Sequence, residues 1–194
     1  MEKETKIGKQ YVIFDLEATC WEEKNDQVKE IIEIGAVRLN GDLEISGIFS
    51  EFVRPTINPE LTEFCKTLTF IKQEEVDSAE IFSEAVGNFE KWIFSSGQDV
   101  KLVSWGYYDK NQLLQESVLK KYAGDIIKLL EKEHMSLKHE FARARKERTC
   151  GMKRALEKLN IPLDGTHHRG IDDARNIAKI FRTVFSEIQS RIPG

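Results

Sequence analysis

An Asn40-Gly41 pair stands between two β-rich runs, Glu30 to Leu39 and Gly47 to Val53. A tight hairpin turn needs positive φ at its central residues, and Asn-Gly supplies it at little steric cost, so the two runs are predicted to pair antiparallel. Tyr11 to Phe14 reads as a strand before this hairpin and Val100 to Trp105 as one after it. Arg54-Pro55 closes the hairpin unit. The stretch INPELTEFCKTLTF that follows is predicted to be irregular with short helical turns, as the two prolines, Pro55 and Pro59, suggest. From Ala79 to Phe94 the residues Ile81, Phe82, Ala85, Phe89, Trp92 and Ile93 recur at helical spacing. A second helix is expected from about Lys110 to Tyr122, with Leu113, Leu114 and Val118 turned inward. GMKRALEKLNIP gives a short helix stopped by Asn160 and Pro162. Ile171 to Ile188 gives a long one with Ala174, Ile177, Ala178, Phe181, Val184, Phe185 and Ile188 as its apolar stripe. Three early strands followed by alternating helix and strand predict a mixed β-sheet flanked by α-helices, an α/β architecture.

A length of 194 residues with 40% hydrophobic content fits one domain with a core of its own, expected over residues 10–190 behind a charged tail at 1–9. No apolar run approaches the roughly 20 residues that a bilayer span requires, and the first residues carry no export signal, so the expectation is a cytoplasmic protein. Cys20, Cys65 and Cys150 are odd in number and form no CxxC pair, which suits a reducing compartment. The net charge of −4 argues against a broadly basic nucleic-acid grip, although cations bound at an acidic site would cancel its charge locally.

Within VIFDLEATC, Asp15 and Glu17 follow an apolar strand. Residues i and i+2 of a strand share a face, so both carboxylates project together, and such like charges repel unless a cation lies between them. Asp42-Leu43-Glu44 repeats the D-x-E spacing, but directly after Asn40-Gly41 it reads as a solvated hairpin tip. Asp109, in SWGYYD, also follows a strand. Its residue type fits either a carboxylate beside the first pair or an N-cap for the helix from Lys110.

HHRGIDD contains two overlapping H-x-x-x-x-D pairs, and helical geometry separates them. Asp173 shares the core-facing stripe with Ile177, Ile180, Phe181 and Val184, whereas Asp172 lies with Arg175 and Lys179 on the polar side. An inward acid is costly unless paired or metal-bound. His168, beside a flexible Gly170, is placed to act as a base with a pKa near neutrality, while His134, His139 and His167 read as surface or packing histidines. Trp105 reads as a core aromatic at a strand end.

Together, FDLEATC, SWGYYD and HRGIDDARNIAKI resemble the three motifs of the DEDDh-type 3′-5′ exonucleases, which have the ribonuclease H-like fold. FVRPTINPELTEFCKTLT further resembles the subgroup of the histone-mRNA 3′ exonuclease and its small-RNA-processing relatives. The resemblance implies stepwise release of nucleoside 5′-monophosphates from single-stranded RNA or DNA 3′ ends, with two Mg²⁺ ions for which Mn²⁺ can substitute. By that resemblance Asp15, Glu17, Asp109 and Asp173 would be the metal ligands, Glu17 would also lie near the terminal 3′-OH, and His168 would be the general base. Ala18 and Thr19 would meet the terminal nucleotide, with Phe64 and Tyr108 sandwiching its base. Phe70 departs from the glycine usual in the subgroup, and Tyr108 stands where the histone-mRNA enzyme has tryptophan. No accessory RNA-binding domain and no obligatory protein partner are read from the sequence. The alternative is a non-catalytic nucleic-acid-binding module on the same fold, which a missing ligand or base would favour; all five residues are present. The basic stretch from Lys138 to Arg154 fits two readings. It is either a phosphate-tracking rim using Arg143, Arg145, Lys146 and Arg148, or a solvated helix face.

Overall fold

A computed structural model describes residues 9–190. Its elements run β1 (Gln10–Ala18), β2 (Ile31–Leu39), β3 (Ile45–Arg54), α1 (Glu63–Thr69), α2 (Gln73–Asp77), β4 (Glu80–Ile81), α3 (Phe82–Phe94), β5 (Val100–Ser104), α4 (Tyr108–Leu119), α5 (Asp125–Glu133), β6 (His134–Ser136), α6 (Leu137–Arg145), α7 (Met152–Lys158) and α8 (Gly170–Gln189). The sheet order is β4-β3-β2-β1-β5-β6. β1, β2 and β3 form an antiparallel meander, while β5 runs parallel to β1 and β6 parallel to β5. This is the expected mixed sheet flanked by helices. At the hairpin, Asn40 Oδ1 accepts from the amides of Asp42 and Glu44, and Leu43 takes the left-handed conformation.

Period-2 alternation along β1 assigns its two faces. Val12, Phe14 and Leu16 join a core with Phe82, Ala85, Val86 and Phe89 of α3 and Ile126 and Leu130 of α5. Ile13 faces the other way, onto Ala174, Ile177 and Phe181 of α8 and Leu156 of α7. A third cluster places Cys65 and Leu61 against Ile32 and Ile71, seating α1 beside the far end of β1. Buried Glu30 fixes the entry to that segment by accepting the amides of Thr56, Ile57 and Asn58 and the Lys120 ammonium. These contacts hold its carboxyl below the usual range against the opposing effect of burial.

Several boundaries move. β1 continues past Phe14 because Leu16 and Ala18 still pair with Ile34 and Ile31, so Asp15 and Glu17 stand inside the strand rather than at its end. The segment at 79–81 contributes a two-residue edge strand before α3, and Trp105 falls outside β5. α4 begins at Tyr108, which puts Asp109 in its first turn instead of at the cap. Val118 is 81% exposed, not inward. Leu113 is inward as expected, fully buried in the core with Leu114 packed against it, but the rest of the buried face of α4 is polar: Gln112 donates to the Lys29 carbonyl and Glu116 accepts the Ile31 amide, so hydrogen bonding joins hydropathy in orienting the helix. α5, β6 and α6 form without having been predicted. No described helix is long and apolar enough to cross a membrane.

Candidate active site

β1 pairs with β5 only from Gln10 to Ile13. Beyond that point the chain after Ser104 turns away, which leaves the edge of β1 open at the carboxyl ends of the two parallel strands, where open α/β sheets bind ligands. Asp109 fills the gap. Its buried carboxylate accepts the Leu16 amide at 3.2 Å, so α4 is tied to the strand that carries Asp15 and Glu17.

The third acid arrives from α8 through an unusually close backbone approach. Gly35 is the register partner of Asp15, and a Cβ built there would lie 2.1 Å from the carbonyl carbon of Gly170 and the amide nitrogen of Ile171. Only glycine admits such an approach. Gly170 itself is buried as the first residue of α8, against the Asp15 carbonyl, so it is a packing contact rather than a flexible joint. Glu33, the register partner of Glu17, secures the same junction. It accepts the Gly170 amide at 3.0 Å and Arg169 Nε at 3.2 Å, and the Arg169 guanidinium lies over the Phe52 ring.

This docking turns Asp173 inward, with ligand oxygens of Asp15, Glu17 and Asp173 all within 4.8 Å of one another. Asp172 stays outward, accepting the Thr166 amide and pairing with Arg175. Burial pushes the Asp15 carboxyl well above the ordinary carboxylate range, and the neighbouring Asp109, Glu17, Asp173 and Glu33 push it further. Burial followed by Asp173 and Glu33 raises Glu17 to about 9, and burial raises Asp109 to about 6. Such a cluster is unfavourable as bare anions and suits hard divalent cations, which take several carboxylate oxygens.

The two histidines divide differently from the sequence expectation. His168 is half-buried in the left-handed conformation, and its backbone amide, not its ring, donates to Asp173. Burial, then the neighbouring His167, lowers its pKa, which favours a neutral imidazole. His167 is no packing residue. Its Nδ1 lies 2.8 Å from an Asp173 oxygen, and its ring stacks on His168 at a centroid distance of 3.9 Å. No periodicity could single it out, because it precedes α8 in an irregular loop.

Around the acids lies a cavity of about 520 Å³ that also admits Tyr107, Tyr108, Lys138 and His139. Tyr108 is half-exposed, and burial together with Asp109 pushes its hydroxyl up to about 12. Phe64, on α1, is part-exposed on the other side of the histidine pair. Ala18 ends β1, and Thr19 is locked by exchange with Glu30, its hydroxyl accepting the Glu30 amide at 3.0 Å. Cys20 and Cys65, distant in sequence, meet here as free thiols; Cys65 is pushed down to about 7, chiefly by its hydrogen bond with Cys20. Trp105, partly buried, packs on Phe141 and donates to the Cys150 carbonyl, and it also lines the acidic cavity. In the basic stretch Arg143 pairs with Glu140, Arg145 with Glu187 and Arg154 with Glu157, so much of that charge is neutralised along helices. Lys138 and Lys153 reach the cavities.

A mixed sheet in this order, with acids at the open edge between its parallel strands and a helix delivering a further acid, defines a ribonuclease H-like protein. The chain belongs to the exonuclease family, whose profile matches residues 12–181, and its likeness is to the DEDDh-type 3′-5′ members. It is 34% identical to mouse 3′-5′ exoribonuclease 1 over 93% of this chain and 55% of that protein. With human ERI1 exoribonuclease 3 it shares 32% identity over 90% of this chain and 53% of that protein. The chain thus spans about half the length of these curated relatives. Among solved structures, the nuclease domain of 3′hExo, a DEDDh family member bound to rAMP, superposes with a TM-score of 0.84 at 29% identity, covering 92% of both chains. The 3′-exonuclease solved in recognition of the histone mRNA stem-loop gives a TM-score of 0.82 at 28% identity, covering 92% of this chain and 82% of that one.

Proposed function

We propose that residues 10–190 act as one catalytic unit, a metal-dependent 3′-5′ exonuclease that releases nucleoside 5′-monophosphates from single-stranded 3′ ends, RNA favoured over DNA. The observation that carries this reading is the convergence of partly buried Asp15 with buried Glu17 and Asp173 within 4.8 Å, with Asp109 anchored to the same strand. The RNA preference draws on the rAMP and the histone mRNA stem-loop named for its structural relatives.

In this reading Asp15, Glu17, Asp109 and Asp173 would hold two Mg²⁺ ions, with Mn²⁺ able to substitute. When bound, such cations neutralise the carboxylates and stabilise the charge that develops on the phosphate and leaving oxygen. His168 would take the proton of the attacking water at a ring nitrogen, a role that its lowered pKa suits near neutral pH. His167, bonded to Asp173, would fix that carboxylate's orientation. Ala18 and Thr19 would meet the terminal sugar through the backbone, and Phe64 and Tyr108 would enclose the base with little sequence preference, since every base offers a π face. Three free cysteines suit action in the cytoplasm.

The test is incubation of the purified protein with 3′-tailed RNA and DNA in Mg²⁺ or in EDTA, followed by product identification. Mononucleotides released only with the cation are expected; short oligomers would indicate an endonuclease, and no product a binding module. His168→Ala should lower turnover by roughly 10²–10⁴-fold while calorimetric Mn²⁺ binding survives. Full activity in that variant would overturn the assignment of the base.

A further inference from the structure

A second cavity, of about 560 Å³, adjoins the acidic one, and the two share His167 and His168 as a common wall. Phe64, assigned above to the terminal base, also lines this groove, and its further walls include Leu68 and Phe70 from the α1 region and Lys153 from α7. Phe70 is anomalous there. It caps the C-terminus of α1 at φ 59 and ψ 17, the left-handed conformation that favours glycine, and the residue is 62% exposed. The fold therefore gains neither backbone relief nor apolar burial from this side chain, which marks it as a surface waiting for something flat. The charge of the groove is also distinctive. In a chain of net charge −4, no Asp or Glu lines it among the described residues, and the one fixed charge there is the Lys153 ammonium.

We propose that this groove is a second nucleotide subsite, in which the base on the 5′ side of the scissile phosphate stacks on Phe70 while Lys153 meets a backbone phosphate. The inference rests on the nuclease reading above and extends it by one nucleotide upstream. Continuity argues for this occupant over a free small molecule. A strand whose terminal residue lies by the acids must leave past one wall of that cavity, and the histidine wall is shared with a groove that offers the apolar face and the cation a nucleotide needs. The volume falls within the range that accommodates a compact ligand.

The test measures binding separately from cleavage. A short single-stranded RNA with 2-aminopurine as its next-to-last base is titrated, in Ca²⁺, against the wild-type chain, Phe70→Gly and Phe70→Tyr. Glycine suits the left-handed cap, so Phe70→Gly is expected to fold with unreduced Tm. Stacking should quench the probe in the wild type and in Phe70→Tyr. Phe70→Gly should lose the quench and bind about 5- to 100-fold more weakly. In Mg²⁺, the rise in KM on replacing the next-to-last nucleotide of the substrate by an abasic one should vanish in Phe70→Gly. Equal quench and affinity in wild type and Phe70→Gly would overturn the subsite even if both cleave RNA normally. A wild type that quenches the probe but never cleaves would keep the subsite and overturn the nuclease reading, and a chain that binds no RNA would overturn both.

Discussion

Replacing Gly35 by alanine isolates the geometry that brings Asp173 to Asp15 and Glu17. The added methyl would lie 2.1 Å from two backbone atoms at Gly170 and Ile171, and ordinary contact begins near 3.4 Å. Since neither β2 nor the start of α8 can swing a side chain aside, the helix must retreat by about 1.3 Å. Overpacking of this kind costs about 1–3 kcal/mol, which in a chain of this size lowers Tm by roughly 3–10 °C. The displacement is large against the roughly 0.2 Å tolerance of metal-ligand distances, and a misplacement of about 1 Å costs on the order of 10²-fold in turnover. Gly87→Ala supplies the control, because a methyl there meets nothing within 4 Å in the middle of α3. It should stabilise the fold by about 0.5–1 kcal/mol. Thermal unfolding, Mn²⁺ calorimetry and exonuclease turnover, run on both variants, separate the effects. A Gly35→Ala protein with wild-type Tm and wild-type Mn²⁺ affinity would refute the claim that this backbone contact positions the third acid.

Two further outcomes follow from the buried charges around the site. Burial pushes Glu116 up to about 7 from an ordinary 4.5, so the folded state holds its proton more tightly than the unfolded chain and stability falls as pH rises through that window. Glu116→Gln keeps an acceptor for the Ile31 amide and removes the ionisation; its advantage over wild type in urea unfolding should grow between pH 5 and pH 8 by up to roughly 2–3 kcal/mol, whereas a pH-independent difference would contradict the assignment. Arg169→Met strands the Glu33 carboxylate, which is 1% exposed, and should cost roughly 2–4 kcal/mol, most of it recovered on adding Glu33→Gln; an unchanged unfolding midpoint would show that the pair does not hold the start of α8.

The acids were legible because their residue type conflicts with their position. Asp173 on an apolar stripe and two carboxylates at i and i+2 after an apolar run are conflicts that local sequence displays directly. What sequence could not display is the junction itself. Gly35 and Gly170 lie far apart in the chain, neither breaks a pattern, and their roles exist only once β2 and α8 are in contact. Glu33 read as one more residue of a β-rich run, and His167 as a surface or packing histidine. The run from α5 to α6 escaped because its helices are short and β6 has three residues, too few for a period to emerge. Val118 misled for a different reason. Three polar side chains, Asp109, Gln112 and Glu116, share the inner face of α4 with Leu113 to serve backbone groups of β1 and of the entry to β2, and Val118 is left outside.

The bond from the Leu16 amide to Asp109 makes α4 a lever with its fulcrum on β1. Tyr108 precedes Asp109 by one position, so the side chain proposed to feel the end of a strand and one proposed to share in cutting it ride on the same turn. Under the proposed roles, a shift of that turn would carry both side chains together, so a poorly seated end would unseat a carboxylate as well.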